Sequence, residues 1–191
     1  MKNLKETLKE IYSISELSPN YYNKTHFVNG RHSVYGEVTE ESTNGIVGYF
    51  KKYFDNDCVF YDLGCGLGKM VVHIGLQYNI KKSCGIEFSK ERVSCANYIK
   101  ETYCNENNTI SFIEGDFLKI DIGDAKVVYC DNTMYDEETT FNIIENLPKN
   151  CLFICRTPSF NKKYKYMISN KALNENFKTT YGSKKIFYLI K

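Results

Sequence analysis

The amino-acid sequence predicts an α/β fold: a mainly parallel sheet with helices on both faces and an antiparallel strand at its end. Three observations carry this. From residue 59 onward, short apolar runs alternate with helical patterns, the order that builds parallel strands through helical crossovers. The first run, Val59-Phe60-Tyr61-Asp62, opens into Leu63-Gly64-Cys65-Gly66-Leu67-Gly68-Lys69, which reads as strand, glycine turn and helix start in succession. Near the end, two strand-like runs flank Gly182-Ser183, the pattern of a hairpin rather than a crossover.

Each element has its own signal. Leu4, Leu8, Ile11 and Ile14 share one helical face, so an amphipathic helix is expected over 3–16, stopped by Ser18-Pro19-Asn20. From there to Gly36 no periodicity survives, and turn signals stand at Asn29-Gly30 and Tyr35-Gly36; an aperiodic stretch this long points to a functional loop. Thr39 caps the next helix, with Glu40 and Glu41 in its first turn favouring the dipole. Beyond the glycine turn the expected elements are a helix over 67–78, a strand over 84–87 and a helix over 90–104. Strands over 110–113 and 126–130, a helix over 137–147 and a strand over 151–155 follow. The final hairpin joins 177–181 to 185–190. No repeat, low-complexity tract or domain boundary interrupts the chain.

Composition bounds the function classes. The 191 residues are 42% apolar and 25% charged, with 16 Tyr and 12 Phe, as in one globular domain able to bury a core. No apolar run approaches the ~18–20 residues that cross a membrane, and Met1-Lys2-Asn3-Leu4-Lys5-Glu6 begins no secretory signal, so a cytoplasmic or nuclear, non-secreted protein is expected. Of the eight cysteines, Cys58, Cys84, Cys130, Cys151 and Cys155 lie in or beside apolar runs and read as structural thiols. No C-x-x-C occurs and the three histidines are scattered, so no metal site is expected. Residues 161–191 carry eight Lys against one acid, whereas 57–160 carry ten basic residues against fifteen acids. The basic end is either a solvated face or a contact for an acidic partner such as nucleic acid or a nucleosome.

The glycine turn narrows the ligand. Only glycine lets a main chain approach a bound molecule this closely. A dinucleotide site is disfavoured because Asp62 would repel the pyrophosphate and Gly68 arrives one position too early. A phosphate-binding loop fails too, despite Gly68-Lys69, since Leu63 stands where its first glycine belongs and Met70 replaces the Ser or Thr. A carboxylate beside such a turn suits an ammonium group, and S-adenosylmethionine carries one. In parallel sheets ligands bind at the carboxyl ends of the strands, and those ends are acidic here. After Asp62 come Glu87, placed to take both ribose hydroxyls, then Asp116 and Phe117 for the adenine amino group and ring, then Asp131-Asn132-Thr133-Met134-Tyr135 where the reacting group would lie. Four acids at successive strand ends repel one another unless a ligand or hydrogen-bond donors offset them.

At this point the chain resembles the class I methyltransferases, and within them the catalytic domain of Dot1-type histone lysine methyltransferases. The resemblance runs from about Tyr21 to Phe160 and rests on Val34-Tyr35-Gly36-Glu37, the turn from Tyr61 to Lys69, Gly85-Ile86-Glu87, Glu114-Gly115-Asp116-Phe117-Leu118 and Asp131-Asn132-Thr133. It implies a Rossmann-like sheet of order 3-2-1-4-5-7-6 with strand 7 antiparallel. It also implies a division into an N-terminal helix and cofactor-covering loop, 1–38, and the methyltransferase domain, 39–191, within one compact unit. Tyr22-Asn23 belongs to that covering loop. S-adenosylmethionine would be bound by Tyr35, Glu37, Asp62, Gly64, Gly66, Gly68, Glu87, Asp116 and Phe117, with no metal. The acceptor would meet Asp131, Asn132, Phe187 and Tyr188.

Departures lie on the acceptor side. The family's two asparagines and aromatic are Asp131, Asn132 and Thr133 here, and its channel tyrosine falls on Phe187, with Tyr188 next. An anionic Asp131 would steer an amine yet favour its unreactive ammonium form. Asn132-Thr133-Met134-Tyr135 also has the spacing of the Asn-x-x-aromatic motif of amide and adenine N-methyltransferases, without the usual prolines. Lysine methylation of a histone or histone-like protein is therefore the leading expectation. Another protein, a nucleic acid or a small molecule as acceptor, and a non-catalytic cofactor-binding module, are the alternatives.

Overall fold

A computed structural model describes residues 3–17, 26–28, 31–33, 36–104, 107–157, 177–180 and 182–191. The apolar runs become the parallel strands of one sheet, whose inner members are covered on both faces. These are β3 Val59–Leu63, β4 Lys82–Glu87, β5 Ile110–Glu114, β6 Val127–Cys130 and β7 Leu152–Cys155, preceded by the short pair β1 His26–Val28 and β2 Arg31–Ser33. The six-stranded main sheet runs β5-β4-β3-β6-β7-β10, where β10 is Phe187–Ile190. All its pairings are parallel except β10 with β7, which is antiparallel with Phe187 opposite Cys155.

Alternation sorts the strand side chains between two cores. Phe60, Val127, Tyr129 and Ile154 join one cluster with Leu8 and Ile11 of α1 (Leu4–Leu17), Ile46 and Val47 of α2 (Glu40–Tyr49), Val71, Val72 and Ile74 of α3 (Lys69–Gln77), and Ile99 of α4 (Lys90–Tyr103). Tyr61, Val128, Cys130 and Phe153 point the other way, onto Phe141, Ile143 and Ile144 of α5 (Glu137–Asn146). Helix α1 begins in a reciprocal capping box, Asn3 accepting from the Glu6 amide and Glu6 from the Asn3 amide. Leu4, expected on its apolar face, is exposed instead. Thr39 caps α2 as expected, accepting from the Ser42 amide at 3.3 Å.

Two expectations change in detail. Helix α3 starts at Lys69 rather than 67, because Gly68 is left-handed at φ 72° and the turn extends through it. The expected order holds through six strands, but the hairpin at the end is shorter and lies outside the main sheet. It consists of β8 (Phe177–Thr179) and β9 (Gly182–Lys184), with Thr179 opposite Gly182, and β10 follows separately. Backbone bonds explain the placement: β8 lies against the segment before α2. The Thr180 amide donates to Glu37 O, the Thr39 amide to Lys178 O, and the Lys178 amide to Ser42 Oγ. No helix among the described residues is long and apolar enough to cross a membrane.

Candidate cofactor and acceptor site

The glycine turn joins β3 to α3 at the carboxyl edge of the sheet. Two of its glycines are required sterically. Gly64 has φ 80°, and a Cβ there would sit 3.0 Å from the Tyr135 hydroxyl; Gly68 is left-handed, and a Cβ there would collide with the Phe112 ring. The turn closes on itself and on β4. The Gly64 and Cys65 amides donate to Ile86 O at 2.8 and 3.1 Å, the Gly68 amide donates to Cys65 O, and the Gly66 amide donates to Glu87 Oε2 at 3.0 Å. Glu87 Oε1 accepts from the Ser89 amide at 2.9 Å, with Arg92 Nη1 3.8 Å away. This carboxylate therefore braces the turn as well as facing the strand ends.

Asp62, the last polar residue before the turn, is buried, and its carboxyl is pushed up to about 8. Burial is the largest cause, followed by the charges of Glu87 and Asp131. The other two strand-end acids thus both bear on Asp62. The Tyr135 phenol lies in the same field, its ionisation opposed first by burial and then by Cys130, Glu87, Asp131 and Asp62. Its ring meets Phe117 with centroids 5.5 Å apart. Asp116 Oδ1 accepts from the Leu118 amide, and Oδ2 lies 3.5 Å from Lys119 Nζ.

A cleft opens beside the turn, lined by Glu37, Asp62, Lys69, Tyr129 and Asp131 among others. Glu37 and Lys69 form an ion pair of 2.7 Å there, with side-chain exposures of 9% and 2%. Sequence reasoning missed Lys69, reading it only as part of a failed phosphate loop. One signal was available: a lysine in the first turn of an apolar helix opposes the helix dipole and calls for an anionic partner. Lys69 Nζ also donates to Tyr12 O of α1 at 3.4 Å. The Tyr12 hydroxyl in turn bonds Thr43 Oγ1 and His73 Nδ1, each at 3.0 Å, and His73 Nε2 meets Gln77 Oε1 at 2.8 Å. This buried network fastens α1 to α2 and α3. His73 is fully buried and held neutral, its pKa lowered to about 4 chiefly by burial.

The acceptor-side residues are not brought together. Asp131 lines the cleft and caps the following turn, with Oδ1 accepting from the Thr133 amide at 3.2 Å and from Thr133 Oγ1 at 2.6 Å. Asn132 is buried, and its amide is spent inside the protein. Oδ1 accepts from the Arg156 and Thr157 amides at 3.0 and 2.8 Å, while Nδ2 donates to Thr157 O and Thr140 Oγ1. It ties the end of β6 to the end of β7 rather than presenting its amide to the cleft. Phe187 packs on the α5 side of the sheet, and Tyr188 on the opposite side against Phe50 at 5.0 Å. Neither is among the residues lining the cleft with Asp62. Tyr35, Tyr22-Asn23 and residues 161–176 of the Lys-rich segment lie outside the described residues. All eight cysteines are free thiols; burial pushes Cys58, Cys151 and Cys155 up to about 12, as inert core thiols. No group of His, Cys, Asp and Glu among the described residues is arranged to hold a metal ion.

Comparison with known proteins agrees with this fold. The family profile described as "Histone methylation protein DOT1" matches residues 12–185. A protein-lysine N-methyltransferase of Saccharolobus islandicus (strain REY15A) is 36% identical over 77 residues, 38% of this chain and 44% of the relative. The chain thus spans less than half the length of that curated relative. An RNA methyltransferase from Salinibacter ruber, solved with S-adenosyl-L-homocysteine, superposes with a TM-score of 0.63 at 18% identity, covering 79% of this chain and 90% of that one. A precorrin-6y C5,15-methyltransferase from Geobacter metallireducens GS-15 does so with a TM-score of 0.59 at 12% identity, covering 80% and 89%. These two names carry unrelated substrates, so the likeness shows the scaffold and leaves the acceptor to the site itself.

Proposed function

The chain belongs to the Dot1 histone methylation family, and from that premise we propose that it is an S-adenosylmethionine-dependent protein-lysine N-methyltransferase acting on a histone or histone-like protein. The observation that carries the cofactor reading is Asp62: a buried carboxyl beside a left-handed glycine turn, kept from ionising by burial and two further acids. Such a group is relieved by a cationic ligand, and the residues around it fit S-adenosylmethionine. Asp62 takes the ammonium. Glu87, already anchored by the Gly66 and Ser89 amides, keeps lone pairs for the ribose hydroxyls. Asp116 and Phe117 serve the adenine.

When bound, S-adenosylmethionine supplies an electrophilic methyl on a sulfonium, so the protein's task is orientation and electrostatics. Asp131, held by Thr133 at the rim of the cleft, draws the ammonium of an incoming lysine. That lysine must lose a proton before its nitrogen attacks, and a dry, aromatic surround favours the neutral amine. Tyr129 in the cleft and Tyr135 above the turn contribute such surfaces. The Lys-rich segment from 161 to 191 would add contacts to an acidic partner such as nucleosomal DNA.

Calorimetry with S-adenosylmethionine, followed by transfer of a radiolabelled methyl group to nucleosomes, free histones and RNA, tests the reading. Label in histone lysine supports it. Label confined to RNA, or cofactor binding without transfer to any acceptor, overturns the lysine assignment.

A further inference from the structure

We infer that Arg156, just past the end of β7, receives a carboxylate of the acceptor, so that the preferred target is a lysine with an aspartate or glutamate close beside it in sequence. This rests on the reading that Asp131 draws the ammonium of an acceptor lysine. Arg156 is 2% exposed, and its Nε and Nη2 have no hydrogen-bond partner among the described residues. Those two nitrogens form one edge of the guanidinium, whose parallel N–H bonds match both oxygens of a carboxylate. Nη1, on the other side, donates to Phe177 O at 3.3 Å, and the main-chain amide donates to Asn132 Oδ1 at 3.0 Å. The residue is thus held in place with its two-pronged edge left over. It forms no ion pair among the described residues. A structural role alone explains this poorly, because a buried guanidinium without an anion is costly. An ordered water would meet a donor yet leave the charge unbalanced.

The register ties that edge to the acceptor side of the cleft. Parallel pairing sets Tyr129 opposite Ile154 and Cys130 opposite Cys155, which brings Asp131 and Arg156 to the next position of β6 and β7. Adjacent strands lie about 4.8 Å apart. Tyr129 and Asp131 line the cleft. From Phe177, whose carbonyl holds Arg156, β8 runs on to Thr179, which bridges to Val38 on the cleft wall. An acid and a guanidinium placed side by side suit an acceptor that carries an ammonium and a carboxylate close together. In a protein those are neighbouring side chains, the lysine going to Asp131 and the acid to Arg156. Because the edge is buried, the contact forms as the acceptor enters and the side chains over it give way.

The test measures transfer of a radiolabelled methyl group by the full chain to paired peptides carrying one lysine, with Glu beside it in one and Gln in the other. The wild type should favour the Glu peptide by roughly 10-fold in kcat/KM, the scale of one hydrogen-bonded contact between charges. Arg156→Met leaves no buried charge behind and should remove that preference, weakening the Glu peptide and leaving the Gln peptide within about twofold. Arg156→Lys should retain part of it, as a charge without the two-pronged edge. Should Arg156→Met fail to fold, acetate against chloride at equal ionic strength gives the readout on the wild type, since acetate should compete with the Glu peptide alone. Should histones be labelled and the peptides not, mass spectrometry of the methylated lysines decides, and sites with no acid beside them overturn the inference. A wild type that methylates both peptides alike, or a folded Arg156→Met that keeps the preference, overturns the role of Arg156 while the lysine reading stands. Absence of label from every lysine acceptor overturns the lysine reading itself.

Discussion

Replacing Asp62 by asparagine should stabilise the ligand-free protein and at the same time remove its affinity for S-adenosylmethionine. The carboxyl is raised from 3.8 to about 8, by burial first and then by Glu87 and Asp131. An unfolded chain ionises this group from about pH 4 upward, whereas the folded protein holds the proton to about pH 8. Between those limits the folded state binds more protons, so stability falls as pH rises through the window and is level again above it. At about 1.4 kcal/mol per pH unit, the interval from 3.8 to neutrality amounts to about 4 kcal/mol. Asp62→Asn keeps the shape and removes the ionisation. Urea unfolding of both proteins at pH 5 and pH 7 measures the difference, expected in favour of the variant at both and larger at pH 7, on the order of 4 kcal/mol. Calorimetry on the variant should show no cofactor binding. A variant no more stable than the wild type at neutral pH, with the same pH dependence, would refute the placement of an ionisable burden at this strand end.

Three further predictions follow from the same geometry. Binding of S-adenosylmethionine at pH 7 should release close to one proton, because Asp62 surrenders the proton it holds to about 8 when it meets the ammonium. Calorimetry in buffers of different ionisation enthalpy reads this, and a release near zero would put the ammonium elsewhere. His73, lowered from 6.5 to about 4, lends stability that is complete above pH 6.5 and is lost as pH falls toward 4, about 3 kcal/mol in all. Substituting His73→Gln should flatten unfolding free energies over that range, and an unchanged slope would contradict a neutral, buried imidazole. Asn132→Ala should cost about 3 kcal/mol and several degrees of Tm, since it strands the buried Arg156 amide and breaks the tie between β6 and β7. A loss below about 1 kcal/mol would mean that the amide is not a brace.

The parts legible in the sequence are those whose physics is local. Apolar runs such as Val59–Leu63 and Leu152–Cys155 mark buried strands whatever their neighbours, and the residue leaving each run marks the carboxyl edge. Asp62 and Glu87 are readable for that reason. The start of α3 is misplaced by two residues because Leu67 continues the apolar pattern, while only the left-handed Gly68 reveals that the turn has not ended. Strand propensity identifies Phe177–Thr179 but not its ladder, since the backbone it meets belongs to Glu37 and Thr39. Lys69 looks like a stray lysine until Glu37 is brought to it from 32 positions away. Asn132 resembles a catalytic amide because its partners, Arg156 and Thr157, lie just beyond the end of β7. Long-range pairings of this kind carry no periodicity.

The ladder between Glu37 and Thr180 has a consequence for biosynthesis. Glu37, which neutralises Lys69 in the cleft, is held at its carbonyl by the Thr180 amide, and its own amide donates to Thr180 Oγ1 at 3.1 Å. A ribosome therefore delivers Asp62, the glycine turn and Glu87 well before the backbone that seats Glu37 exists. Until residue 180 emerges, the backbone of Glu37 lacks the bonds that Thr180 supplies, and a chain cut short at 176 would carry every strand-end acid yet miss that ladder.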